Sequence, residues 1–138
     1  MNSGKDGGKW VAIPGHITIR TVYSAELLDH FDNPRNSGTV DKPDATVRLE
    51  NPACGDILEL SAKLEAGMVV EIRFRAKGCV PAIACGSAIT ELAKGKSLDA
   101  AQRLNQHDLL RAVGGVPQAS NHAAQLALDT LHALLRKL

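Results

Sequence analysis

The chain has 138 residues, 44% of them hydrophobic, enough for one domain with a packed core and too few for two large ones. Sixteen Lys+Arg against fifteen Asp+Glu leave a formal charge of +1, with no basic block able to neutralise a phosphate backbone, which argues against nucleic acid as a partner. No apolar run approaches the roughly 20 residues of a membrane-spanning helix, and residues 1–20 lack a secretion signal, so the expectation is a cytoplasmic protein with no membrane partner.

In chain order, residues 1–20 open with Asn2, Ser3, Gly4, Gly7 and Gly8 and hold no sustained period, which predicts a flexible N-terminal arm or leader ahead of one domain over 21–138. Ser24 is placed to cap a short helix with Leu27, Leu28 and Phe31 on one face. Asn33-Pro34 ends it, and the Asn/Gly/Pro/Asp-rich run to Asp44 predicts an ordered or semi-ordered loop. Three alternating segments then predict strands: Val47 and Leu49; Leu58, Leu60, Ala62 and Leu64; Val70, Ile72, Phe74 and Ala76. The Glu65-Ala66-Gly67 link makes the last two an antiparallel hairpin. Helices follow. Pro81 opens one with an Ile83, Ile89, Leu92 stripe ending at Gly95; Ser97 starts a short one to about Leu104; Asp108 to Val113 is another; and Ala124, Leu128, Leu131 and Leu135 mark the last, capped by Ser120 or Asn121. Strands grouped ahead of helices predict an α+β fold, a three-stranded antiparallel sheet packed against a layer of helices.

Three cysteines are too few for a disulfide framework, which leaves free thiols, metal ligation or sulfur chemistry. Cys54 and Asp56 flank Gly55 at the first strand turn; they read equally as a convergent ligand pair or as a turn aspartate beside a half-buried thiol. Cys79 follows Gly78 just before a helix N-terminus, where exposed amides and the helix dipole favour thiolate; the alternative is a small apolar residue closing a strand–helix corner. Cys85, among Ala82, Ala84, Gly86, Ser87 and Ala88, is expected to be buried, with a reserve ligand or resolving thiol as the minority reading. His122, at the start of the last helix, could complete a tetrahedral site with two thiolates and a carboxylate. His30, His107 and His132 fall in segments that read as amphipathic surface, with solvated or packing roles, and His16 lies in the arm.

With these residues in place, the sequence resembles the IscU/NifU-type iron–sulfur cluster assembly scaffold family, the N-terminal NifU-like domain. Tyr23-Ser24 and Asp29-His30-Phe31-Asp32-Asn33-Pro34-Arg35-Asn36 look like its opening helix and loop, Pro52-Ala53-Cys54-Gly55-Asp56 is similar to its first ligand loop, and Gly78-Cys79 with Ala82-Ile83-Ala84 resembles its second. Lys94-Gly95-Lys96-Ser97-Leu98-Asp99 also fits, and the match covers about residues 23–138. The resemblance implies a scaffold or carrier rather than an enzyme: it accepts sulfur from a cysteine desulfurase, holds iron or a [2Fe–2S] cluster, and delivers it to acceptor apo-proteins. It also implies Cys54, Asp56 and Cys79 as ligands. The family's third cysteine follows a histidine at the start of the last helix, whereas here Ala123 follows His122; an ungapped count from Pro117 instead puts His122 at the cysteine position. The remaining set, Cys54, Asp56, Cys79 and His122, suits zinc as isolated, and histidine on iron has a Rieske-type precedent. A zinc-bound sulfur acceptor for a cysteine desulfurase, of the SufU type, is therefore the alternative function, and an interaction module that kept the shape without the chemistry is a third. In place of the family's Pro-Pro-Val-Lys motif stands Gly115-Val116-Pro117-Gln118-Ala119, which argues against handover by an Hsp70-type chaperone.

Overall fold

The computed structural model describes residues 22–138 and, before them, only the backbone of two short strands, β1 (Ala12–Ile13) and β2 (Ile17–Thr18), paired antiparallel. The arm expected over residues 1–20 otherwise lies outside the described residues, as does His16. The elements that follow are α1 (Ala25–Asp32), β3 (Ala45–Asn51), β4 (Asp56–Glu65), β5 (Met68–Lys77), α2 (Val80–Ala93), α3 (Leu98–Gln102), α4 (Gln106–Ala112), a 3-10 turn (Gln118–Ser120) and α5 (Asn121–Leu135). The sheet runs β3-β4-β5, antiparallel throughout, and is backed by helices on one face, with α2 and α5 against it.

The caps follow from the side chains. Ser24 Oγ accepts the Leu27 N–H at 2.9 Å, Ser97 Oγ accepts the Ala100 N–H at 3.0 Å, and Asn105 with Asp108 forms a reciprocal capping box that starts α4 two residues earlier than Asp108 itself would. In α5 the expected stripe of Ala124, Leu128, Leu131 and Leu135 is buried. α2 differs from expectation. Ile83 and Leu92 are only partly buried, and the helix is instead enclosed nearly all round through Ala82, Ala84, Cys85, Gly86, Ser87, Ala88, Ile89 and Thr90. Small residues let it approach closely: a Cβ on Gly86 would stand 2.8 Å from the Phe74 ring and 3.1 Å from Leu58.

Two further differences have local causes. The hairpin turn is two residues long, Ala66-Gly67 between the paired Glu65 and Met68, and both turn residues have positive φ, 52° and 78°. Pairing then slips from Leu64–Val69 to Lys63–Glu71, so Val70 is the extra residue of a bulge; Val69 is buried and Val70 exposed, the reverse of the alternation expected from Ile72 and Phe74. His30 is buried rather than on the surface, because its Nδ1 meets Ser87 Oγ at 2.8 Å, the same hydroxyl that accepts the Arg35 N–H at 2.8 Å. The loop after α1 is thereby pinned to α2 and continues as a strap on β5, where the Gly38 N–H donates to Phe74 C=O and the Phe74 N–H to Asn36 C=O. Gly95 and Lys96 make the same kind of bonds with Val69. These two segments cover the ends of an edge strand that would otherwise expose unpaired backbone.

Candidate metal centre

Antiparallel pairing brings the site together at one end of the sheet. Asn51 pairs with Asp56 across the β3–β4 turn, and Ile57 pairs with Lys77, so the residues just past Lys77 arrive beside Asp56. Inside the turn, Asn51 Oδ1 accepts the Ala53 N–H at 3.0 Å and Asn51 C=O accepts the Gly55 N–H at 2.7 Å, with Gly55 at φ +77°. Cys54 is thereby exposed at the tip while Asp56 begins β4 on its inward face, only 3% exposed. β5 ends at Lys77, just before Gly78, Cys79 is the N-cap of α2, and the start of α5 carries His122 against the same carboxylate.

All three partners meet one oxygen. Asp56 Oδ2 lies 3.2 Å from Cys54 Sγ, 3.3 Å from Cys79 Sγ and 3.5 Å from His122 Nε2, while Asp56 Oδ1 accepts the Cys79 backbone N–H at 3.1 Å. Donor atoms of Cys54, Asp56 and His122 all fall within 4.8 Å of one another, and Cys79 joins them through the carboxylate. The four residues expected from the sequence are thus adjacent in space. Two soft sulfurs, one imidazole nitrogen and one hard oxygen are a donor set that fits zinc or iron.

Burial pushes the Asp56 carboxyl up, but hydrogen bonds from the Cys54 thiol, the Cys79 N–H and the Cys79 thiol, with the charge of His122, more than offset it and hold Asp56 below its usual range. Cys79 goes the other way. The helix N-terminus was expected to favour thiolate there, yet burial first, and then the Asp56 carboxylate beside it, raise the thiol above its ordinary value despite the Ala82 N–H. Burial of the thiol, reinforced by the neighbouring carboxylate, outweighs the stabilisation of thiolate by the amides at the helix N-terminus. Cys85 is fully buried one and a half turns along α2, and burial pushes its thiol up to about 12.

Sequence reasoning did not assign roles to Asn51, Gly78 or Tyr23. Asn51 before Pro52 carried an Asx-turn signal; Tyr23 carried none, and only the folded chain brings it close enough that burial, then the charge Cys79 carries once ionised, raises its phenol. A groove of about 320 Å³ lined by Leu49, Pro52, His122 and Leu126 opens beside the site, whereas the larger one, about 590 Å³ around Leu92, Lys96, Leu104 and Arg111, adjoins the opposite end of α2 and contains none of these donors.

The chain is 37% identical over 110 residues to the iron-sulfur cluster assembly scaffold protein IscU 1 of Archaeoglobus fulgidus, covering 80% of this chain and 72% of that one. To IscU of Escherichia coli K12 it is 38% identical over 118 residues, covering 83% and 91%. A solved SufU structure from Fervidobacterium islandicum superposes with a TM-score of 0.71 over 83% of this chain and 97% of that one, at 16% identity, and so shares the fold. A model of the NifU-like N-terminal domain matches residues 22–137, and the chain belongs to the NifU-like N-terminal domain family.

Proposed function

We propose that this chain is an iron–sulfur cluster assembly scaffold or carrier, which binds iron and sulfide or a [2Fe–2S] cluster as cargo and delivers it to acceptor apo-proteins. The observation that carries this reading is the meeting of Cys54, Cys79 and His122 on one buried oxygen of Asp56. The relatives named as scaffolds support it. Cys54 and Cys79 bind metal as thiolates, and an arriving cation favours the thiolate of Cys79 that burial and then the Asp56 carboxylate disfavour. Asp56 is the harder, more labile donor among soft ones and is the natural point of release. The sulfur donor in this reading is a cysteine desulfurase: a thiolate of the site attacks the outer sulfur of the desulfurase persulfide, takes that sulfur, and leaves the desulfurase cysteine as thiolate.

Anaerobic reconstitution with a cysteine desulfurase, cysteine and ferrous iron tests this, read by visible absorption and by iron and sulfide content. Cluster formation that is lost in Cys54→Ser and Cys79→Ser supports it; a parent protein that never holds iron overturns it. The two-cysteine donor set favours one second reading, a zinc-bound sulfur acceptor for the desulfurase. Metal analysis of the anaerobically purified protein, with persulfide labelling, distinguishes them.

A further inference from the structure

Asp56 uses its two oxygens differently. Oδ2 makes every side-chain contact of the site, and Oδ1 accepts only the Cys79 backbone N–H. Behind Oδ1 stands Gly78, at φ +150°; a Cβ there would overlap Oδ1, lie 2.7 Å from Cγ and crowd the Asp56 Cα at 3.1 Å. Gly55, in the same site, has nothing within 4 Å of its Cβ position. Gly55 is needed only for its backbone angle, while Gly78 also vacates space that a carboxylate fills.

From this geometry we infer that Gly78 is a positioning residue for Asp56. Its bare Cα and the Cys79 N–H together lock Oδ1, so that Oδ2 alone is presented between Cys54, Cys79 and His122. Resting on the reading of Asp56 as a metal ligand, this makes the aspartate a one-oxygen donor. Such a donor suits a four-coordinate zinc or iron site and works against bidentate coordination by this carboxylate, one of the modes calcium uses. Any side chain at position 78 displaces the carboxylate rather than merely straining the turn.

A double-mutant cycle on zinc affinity, measured by competition with a chromophoric chelator, tests it using the parent, Gly78→Ala, Asp56→Ala and the double variant. Gly78→Ala is expected to weaken zinc binding at least about tenfold when Asp56 is present and to have little further effect when it is not. Backbone strain at φ +150° is common to both backgrounds, so equal losses would show a purely structural role and overturn the inference. If Gly78→Ala does not fold alone, folding recovered in the double variant supports the clash, and failure of both to fold overturns it. Asp56→Ala binding zinc as tightly as the parent would instead overturn the ligand reading of Asp56. The positioning role is then read in the metal-free protein, where the Cys79 amide proton, shifted downfield by its carboxylate acceptor, should move upfield in Gly78→Ala and Asp56→Ala alike; an unmoved resonance in Gly78→Ala overturns it.

Discussion

His122 and Ala123 are neighbours that α5 turns in different directions: His122 faces Asp56 Oδ2, while Ala123 is packed into the core at 1% exposure. Whichever of the two alignments of the absent third cysteine holds, position 122 is the one whose side chain faces the site in this chain. His122→Cys is expected to give a three-thiolate set that retains more iron and sulfide after reconstitution and desalting than the parent. Ala123→Cys is expected to add no ligand and to cost about 1–3 kcal/mol by overpacking, visible in the urea midpoint. Cys85 gives the complementary case. Its thiol is buried in apolar surroundings, so Cys85→Ser should lose about 1–3 kcal/mol through an unsatisfied hydroxyl while metal content per chain is unchanged. An emptied site in that variant would make Cys85 a ligand.

Among the elements, the β4–β5 hairpin carries an uneven turn. Ala66 sits at φ +52°, a conformation that an L residue with a Cβ disfavours and that asparagine tolerates better. Ala66 is exposed, so Ala66→Asn should raise stability by about 0.5–1 kcal/mol without altering metal binding, as measured by thermal unfolding of the metal-free protein. The α2–sheet contact has no such slack. Gly86→Ala drives a methyl against Phe74 and Leu58 and is expected to cost about 1–3 kcal/mol; an unchanged unfolding midpoint would mean that α2 can retreat from the sheet.

For the whole molecule, the buried His30 ties α1, the following loop and α2 into one unit. Its Nδ1 meets Ser87, and its Nε2 lies 3.6 Å from Glu91 Oε1, near Arg35 and Asp29. Burial first, then Arg35, holds its pKa below the ordinary value against the opposing charges of Glu91 and Asp29. The unfolded chain therefore binds a proton more readily than the folded one. The corresponding stability is fully present above about pH 6.5 and is lost as the pH falls below it, by at most about 1.4 kcal/mol per unit. Urea midpoints between pH 7.5 and 5.5 should fall in the parent and fall less in His30→Asn; identical slopes would remove His30 from the account. Among the described residues, no helix is long and apolar enough to cross a membrane.

Within residues 21–138 the sequence by itself determined the strand and helix order, the hairpin, the caps at Ser24 and Ser97 and the neighbourhoods of Cys54, Asp56, Cys79 and His122, because those depend on periodicity, turn chemistry and spacing within a few residues; the short β1–β2 pair carried no such period. Tertiary structure decided what depends on distant partners. The bulge at Val70 came from strand pairing, the burial of His30 from Ser87 on another helix, and the raised pKa of Cys79 from its burial and then from Asp56, a residue 23 positions away that strand pairing brings alongside. The single-oxygen geometry of Asp56 belongs to the same class, since Gly78 shows its second role only when the space its missing Cβ leaves is seen to be filled.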